Sequence, residues 1–206
     1  MKKSIIIALV LALCLPALAQ EKTQQEAQDF CKHEVSVGYG FHPLSSVSFD
    51  LESLGYRYQL DKVGAFYGAY TYYFNEYIGL GGTYCFDPRK ITYTYHHYNS
   101  NPLVANLNES CHSLMGHMKL NCINKQHFVL YFKFDAGVCF WDYHLTEFQP
   151  ELFAVELPYQ HCCFAWQTAT GIEVGNERIA GFLQLGVGME GNYSIGIRYK
   201  FKNRAQ

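Results

Sequence analysis

Charged residues make up only 17% of the 206 residues, and the formal net charge is −2. Their spacing is regular. Lys119, Lys133, Asp135, Glu173 and Arg198 all fall on the polar phase of segments that alternate with apolar residues. Glu34 and Lys200 occupy the same phase near the two ends. Charges gathered on an enclosed face must pair, because desolvating a lone charge is costly. Glu173 and Arg198 lie on segments two apart in chain order, so their long side chains can meet across a narrow interior. Lys133 and Asp135 are two apart on one face. The chemistry this set supports is a salt-bridge network that fills an interior; a narrow ion path is the functional alternative.

Other reactive residues combine less well. His112-Ser113 is the only adjacent His–Ser pair. Alternation sends the two side chains to opposite faces, so no catalytic residue is assigned. His96-His97, flanked by Tyr95 and Tyr98, stands out among nine histidines. Neighbours on a strand point apart and do not chelate one ion, so no metal is expected. Gly79 to Gly82 precede no helix, so they form no phosphate loop and no cofactor is expected. Seven cysteines follow residue 19: Cys31, Cys85, Cys111, Cys122, Cys139, Cys162 and Cys163. An odd number leaves at least one thiol without an internal partner. Cys85 with Cys111, and Cys139 with Cys163, bracket two long connections and are the possible disulfides. Cys162 belongs to the opposite, apolar phase.

The elements that must position these residues are strands. Phe128, Leu130, Phe132, Phe134, Ala136, Val138 and Phe140 alternate with Val129, Tyr131, Lys133, Asp135, Gly137, Cys139 and Trp141. Period two with unlike faces is a strand with one apolar side. The same pattern runs through 34–41, 166–174, 179–189 and 193–201, and less sharply through 63–74, 77–86 and 113–123. In 179–189 the apolar phase takes in Leu183, Leu185, Val187 and Met189. That makes eight strands. Short turns at 75–76, 124–126 and 175–177 alternate with connections at 43–62, 88–111 and 142–160, and a last short one spans 190–192. Strands of about 9–11 residues with this rhythm predict an all-β fold, an eight-stranded antiparallel transmembrane barrel. Closure leaves no unpaired backbone edge in lipid.

The ends carry their own signals. Lys2 and Lys3, the apolar run Ile5–Leu15 and Ala17-Leu18-Ala19 form a secretory signal. The expected organisation is a signal peptide at 1–19, a periplasmic segment at 20–33, the barrel at 34–201 and a tail at 202–206. Neither the net charge nor any basic run fits a nucleic-acid binder.

Several stretches resemble the small eight-stranded outer-membrane barrels of Bacteroides-type Gram-negative bacteria. They are Val37-Gly38-Tyr39-Gly40, Tyr70 to Phe74 with the Asn75-Glu76 turn, Ile123-Asn124-Lys125, Gly171 to Gly175, Ala180-Gly181-Phe182, Leu185 to Gly188 and Gly196 to Phe201. The resemblance implies an outer-membrane location with both barrel termini in the periplasm. It implies contact with outer-membrane lipid and lipopolysaccharide, delivery by the barrel assembly machinery and a monomeric state. It further implies that Ile197, Tyr199 and Phe201 act as the C-terminal assembly signal. The expected role is non-enzymatic, structural or recognising an extracellular ligand of unknown identity through surface loops. The alternatives are a lipid-modifying enzyme of the lipid A acyltransferase or deacylase type, and a soluble secreted barrel that binds a small apolar ligand.

Overall fold

The computed structural model describes residues 31–43, 56–62, 64–95, 103–147 and 162–201. The expected signal peptide, most of the periplasmic segment, His96-His97 and the tail lie outside them. Nine strand segments follow in chain order: β1 (His33–Phe41), β2 (Tyr56–Lys62), β3 (Ala65–Tyr73), β4 (Ile78–Tyr95), β5 (Leu103–Lys125), β6 (Phe128–Glu147), β7 (Cys162–Gly175), β8 (Ile179–Gly188) and β9 (Tyr193–Phe201). β2 and β3 both pair with β4, β2 along its upper part and β3 along its lower part. They are two pieces of one stave. Pairing then runs β3–β4–β5–β6–β7–β8–β9–β1 and back to β3, every step antiparallel. The result is a closed eight-stranded antiparallel barrel.

The period-two pattern explains the faces. Outward positions include Val37, Leu114 and Phe164, at 59%, 62% and 69% exposure. Inward positions include Glu34, Lys119, Lys133, Asp135, Glu173, Arg198 and Lys200, all buried. Two of the tight turns are set by asparagine. Asn75 Oδ1 accepts from the amides of Tyr77 and Ile78, and Asn176 Oδ1 from those of Arg178 and Ile179. Such side-chain mimicry of a backbone turn is why asparagine favours these positions.

Three expectations need correction. First, 56–62, 88–95, 103–111 and 142–147 are strand rather than loop. β4, β5 and β6 therefore have 18, 23 and 20 residues, against 9 or 10 for β1, β3, β8 and β9. A bilayer needs only about 9–11 residues per strand. The β2–β4–β5–β6 side thus rises as a wall above the rest of the barrel. Its sequence hides the strand because the polarity changes phase. The positions in phase with inward Asp87 and Arg89 are Ile91, Tyr93 and Tyr95, which pair with Leu107, Ala105 and Leu103. In this upper part the apolar residues have thus left the outward phase that they hold lower on the same strands.

Second, Met189 does not continue the outward row of Leu183, Leu185 and Val187. It is buried. Strand β8 ends at Gly188, whose φ of 144° breaks the alternation. Third, no bridge joins Cys85 to Cys111. Cys85 is paired with Ser113 and Cys111 with Asp87, so the two thiols are offset by two residue pairs and both stay free. Cys139 and Cys163 face each other directly, 5.3 Å apart at Cα, and are bridged.

Candidate functional site: a charge-filled lumen

The lower lumen, near the short turns, holds a network delivered entirely by strands. Lys119 on β5 lies between two carboxylates, Glu34 of β1 at 2.7 Å and Glu173 of β7. Glu173 also takes the Arg198 Nε of β9 at 2.7 Å. Lys200 stands 3.6 Å from Glu34, which further accepts the Tyr73 hydroxyl at 3.0 Å. Tyr131 supplies a ring face 4.4 Å from the Lys119 ammonium. The Arg198 guanidinium also donates to the Glu177 carbonyl at 3.2 Å, tying the network to the β7–β8 turn.

The upper lumen is assembled differently. Lys133 pairs with Asp135 at 3.2 Å and with Glu190. Glu190 belongs to the turn Met189–Asn192, which folds down into the barrel and buries the carboxylate completely. The Gln184 amide donates to Glu190 Oε2 at 2.9 Å. Gln167 holds the turn from both sides, accepting the Glu190 amide at 3.0 Å and donating to the Gly191 carbonyl at 3.2 Å. Gly40 makes room: a Cβ there would lie 1.5 Å from the Glu190 carbonyl oxygen. The Asn192 amide bonds the Phe41 carbonyl at 2.8 Å, so the turn also fastens β9 to β1 at the barrel seam.

His117 lies between Thr71 and Thr83, 2.9 Å from each hydroxyl. Thr83 gives its own proton to Asp135 at 2.8 Å, so it accepts from Nδ1, which must carry a hydrogen. Higher still, Arg89 holds Asp87 at 2.6 Å and Glu109 at 3.8 Å, with its guanidinium 5.0 Å from the Trp141 ring centre.

The five charged residues expected in the lumen all face inward. The network needs more than those five. Glu34 and Lys200 were only extensions of the pattern, and Glu190, His117, Gln167 and Gln184 were not anticipated. For Glu190 the available signal was its place in Gly188-Met189-Glu190-Gly191, a carboxylate between two glycines in a tight hairpin. Ile197, Tyr199 and Phe201 face outward along β9, with the Tyr199 and Phe201 rings 4.9 Å apart. His112 and Ser113 do point apart. His112 lies on the outer side, 2.7 Å from the Tyr84 hydroxyl, and Ser113 is buried inside.

An eight-stranded barrel with a charge-filled lumen and an apolar outer band is the class that fold and site define. No family model and no curated protein matches the chain. Among solved structures it is similar to the outer membrane protein OprG from Pseudomonas aeruginosa, at 12% identity and a TM-score of 0.45, covering 85% of this chain and 98% of that one. A bacterial polysaccharide outer membrane secretin follows at 11% identity and a TM-score of 0.21, covering 84% and 66%. Likeness at this level carries no inference about activity.

Proposed function

We propose that this protein is an outer-membrane barrel of the small, Bacteroides-like kind, exported by its N-terminal segment, with both barrel termini in the periplasm. Its role is non-enzymatic: a structural element that presents its outer connections for recognition. The observation that carries this reading is the polarity of the wall. The exterior is a belt of Val, Leu, Ile, Phe and Tyr, while the interior carries paired charges. A water-soluble protein does not expose a continuous apolar belt of this extent. A soluble barrel that carried an apolar ligand would need the reverse interior. The opposed His112 and Ser113 side chains argue against lipid A chemistry at that pair.

Side chains fill an eight-stranded interior, and here they are cross-linked by ion pairs, which supports a plug rather than a conducting pore. The decisive experiment is fractionation with a gel shift. The protein should require detergent for extraction from outer membranes, and the unboiled species should migrate differently from the boiled one. Release into the soluble periplasmic fraction would overturn the reading. Protease added to intact cells should cut within 96–102 or 148–160 and spare 75–76, 124–126 and 176–178; the opposite pattern would invert the topology.

A further inference from the structure

Between the two ionic clusters the lumen keeps a cavity of about 20 Å³. One buried water needs roughly 10–15 Å³, so the space suits a small particle and is too tight for phosphate or an organic acid. Its walls decide the chemistry. The charged side chains that line it are three cations, Lys119, Lys133 and Arg198, and two carboxylates, Glu34 and Glu173. Both carboxylates are fully used. Glu34 takes Lys119 on one oxygen and the Tyr73 hydroxyl on the other, and Glu173 takes Lys119 and Arg198. Asp135 and Glu190 hold Lys133 but do not line the cavity. The lining amide oxygen is used as well: Gln184 Oε1 accepts the Tyr131 hydroxyl at 3.1 Å.

Donors remain. The Tyr67 hydroxyl is buried without a hydrogen-bond partner. Its ring presses against Gly38, where a Cβ would lie 2.6 Å from the hydroxyl oxygen. Ser194, paired with Gln184 across β8–β9, carries a second buried hydroxyl without a partner. An ammonium has three N–H donors. Lys119 and Lys133 each meet two carboxylates, which leaves each a third N–H not spent on one.

We propose that this cavity is a site for one monovalent halide, with chloride the biological ion, held by the Tyr67 hydroxyl and the Lys119 and Lys133 ammonium groups. A water would take the Tyr67 donor but bring two hydrogens of its own to walls whose carboxylate and amide oxygens are already taken. A halide only accepts. Its charge also offsets the one cation by which the lining exceeds its carboxylates, so no charge is buried unpaired. The site stands apart from the surface role proposed above, because it belongs to the folded barrel whatever the outer connections do.

The test uses the full mature chain folded in detergent, with sodium chloride exchanged for sodium gluconate at constant ionic strength. The urea midpoint should rise saturably with chloride, as for any ligand that binds only the folded state. In Tyr67→Phe the half-saturating chloride concentration should rise about tenfold, the scale of one lost hydrogen bond to a charge, with the unboiled gel shift retained. Crystals grown in sodium bromide should show one anomalous peak within hydrogen-bond distance of the Tyr67 hydroxyl. That position decides the matter if Tyr67→Phe does not shift on the gel. A midpoint indifferent to chloride, a chloride effect unchanged in Tyr67→Phe, or a cavity without bromide would each overturn the site.

Discussion

The two ionic clusters of the lumen are built in contrasting ways. In the lower one, every charge comes from a strand: Glu34, Lys119, Glu173, Arg198 and Lys200. In the upper one, Lys133 and Asp135 come from a strand but Glu190 comes from a turn. Their formal charges differ too. The lower cluster sets three cations against two carboxylates, and the upper sets one cation against two carboxylates. Each imbalance offsets the other inside one closed wall. Strand-borne charges are fixed as soon as neighbouring strands pair. The turn-borne carboxylate can dock only when the β8–β9 hairpin is complete and Gly40 is in place beneath it.

This contrast ranks the effects of substitution. The largest belongs to Glu173→Leu, which leaves three lower cations facing only Glu34. Removing one partner from a buried pair costs about 3–5 kcal/mol, so the urea midpoint of the detergent-folded barrel should fall steeply or the gel-shifted form should not appear. Wild-type stability would mean the lower cluster is hydrated and not structural.

Gly40→Ala comes next. The added methyl overlaps the Glu190 carbonyl, so the turn must lift. Overpacking of this kind costs about 1–3 kcal/mol, and protease sensitivity near 189–192 should rise with it. An unchanged midpoint and unchanged sensitivity would show that the turn is not held inside.

Glu190→Gln should be milder, at about 1–2 kcal/mol. The amide keeps the shape, Lys133 keeps Asp135, and the upper cluster becomes formally neutral. A loss matching Glu173→Leu would erase the distinction between strand-borne and turn-borne charge.

The smallest effect is expected at the rim. Arg89→Lys keeps a cation beside Asp87 and gives up stacking on Trp141, worth about 0.5–1 kcal/mol. A loss above that of Glu190→Gln would make the rim, not the lumen, the centre of stability.

The same contrast explains what could be read from sequence. The lower cluster was legible because Lys119, Glu173 and Arg198 obey period two, and alternation is a backbone property that tertiary packing does not override. Glu190 was not legible, because a four-residue turn has no period and Gly188 shifts the phase just before it. Met189 was assigned outward for the same reason. The upper parts of β4, β5 and β6 were hidden by a change of phase: above Arg89 the apolar residues move to the other phase, and the mixed pattern resembles loop. Cysteine pairing depended on register, which spacing along the chain does not determine. Cys139 and Cys163 meet as direct partners, while Cys85 and Cys111 miss by two residue pairs.

The unequal staves give the molecule a heading. At about 3.3 Å per residue, the 23 residues of β5 extend about 76 Å along the strand, against about 30 Å for the 9 of β9. A symmetric cylinder would look the same to any neighbour in the plane of the membrane. This one has a tall side at β4–β6 and a low side at β8–β1, where the shortest outer turn is tucked inward. In the membrane setting proposed above, a neighbouring protein would meet a palisade from one direction and an almost level threshold from the other. Lateral encounters there would be polar, in the geographer's sense, even though the barrel itself is closed all round.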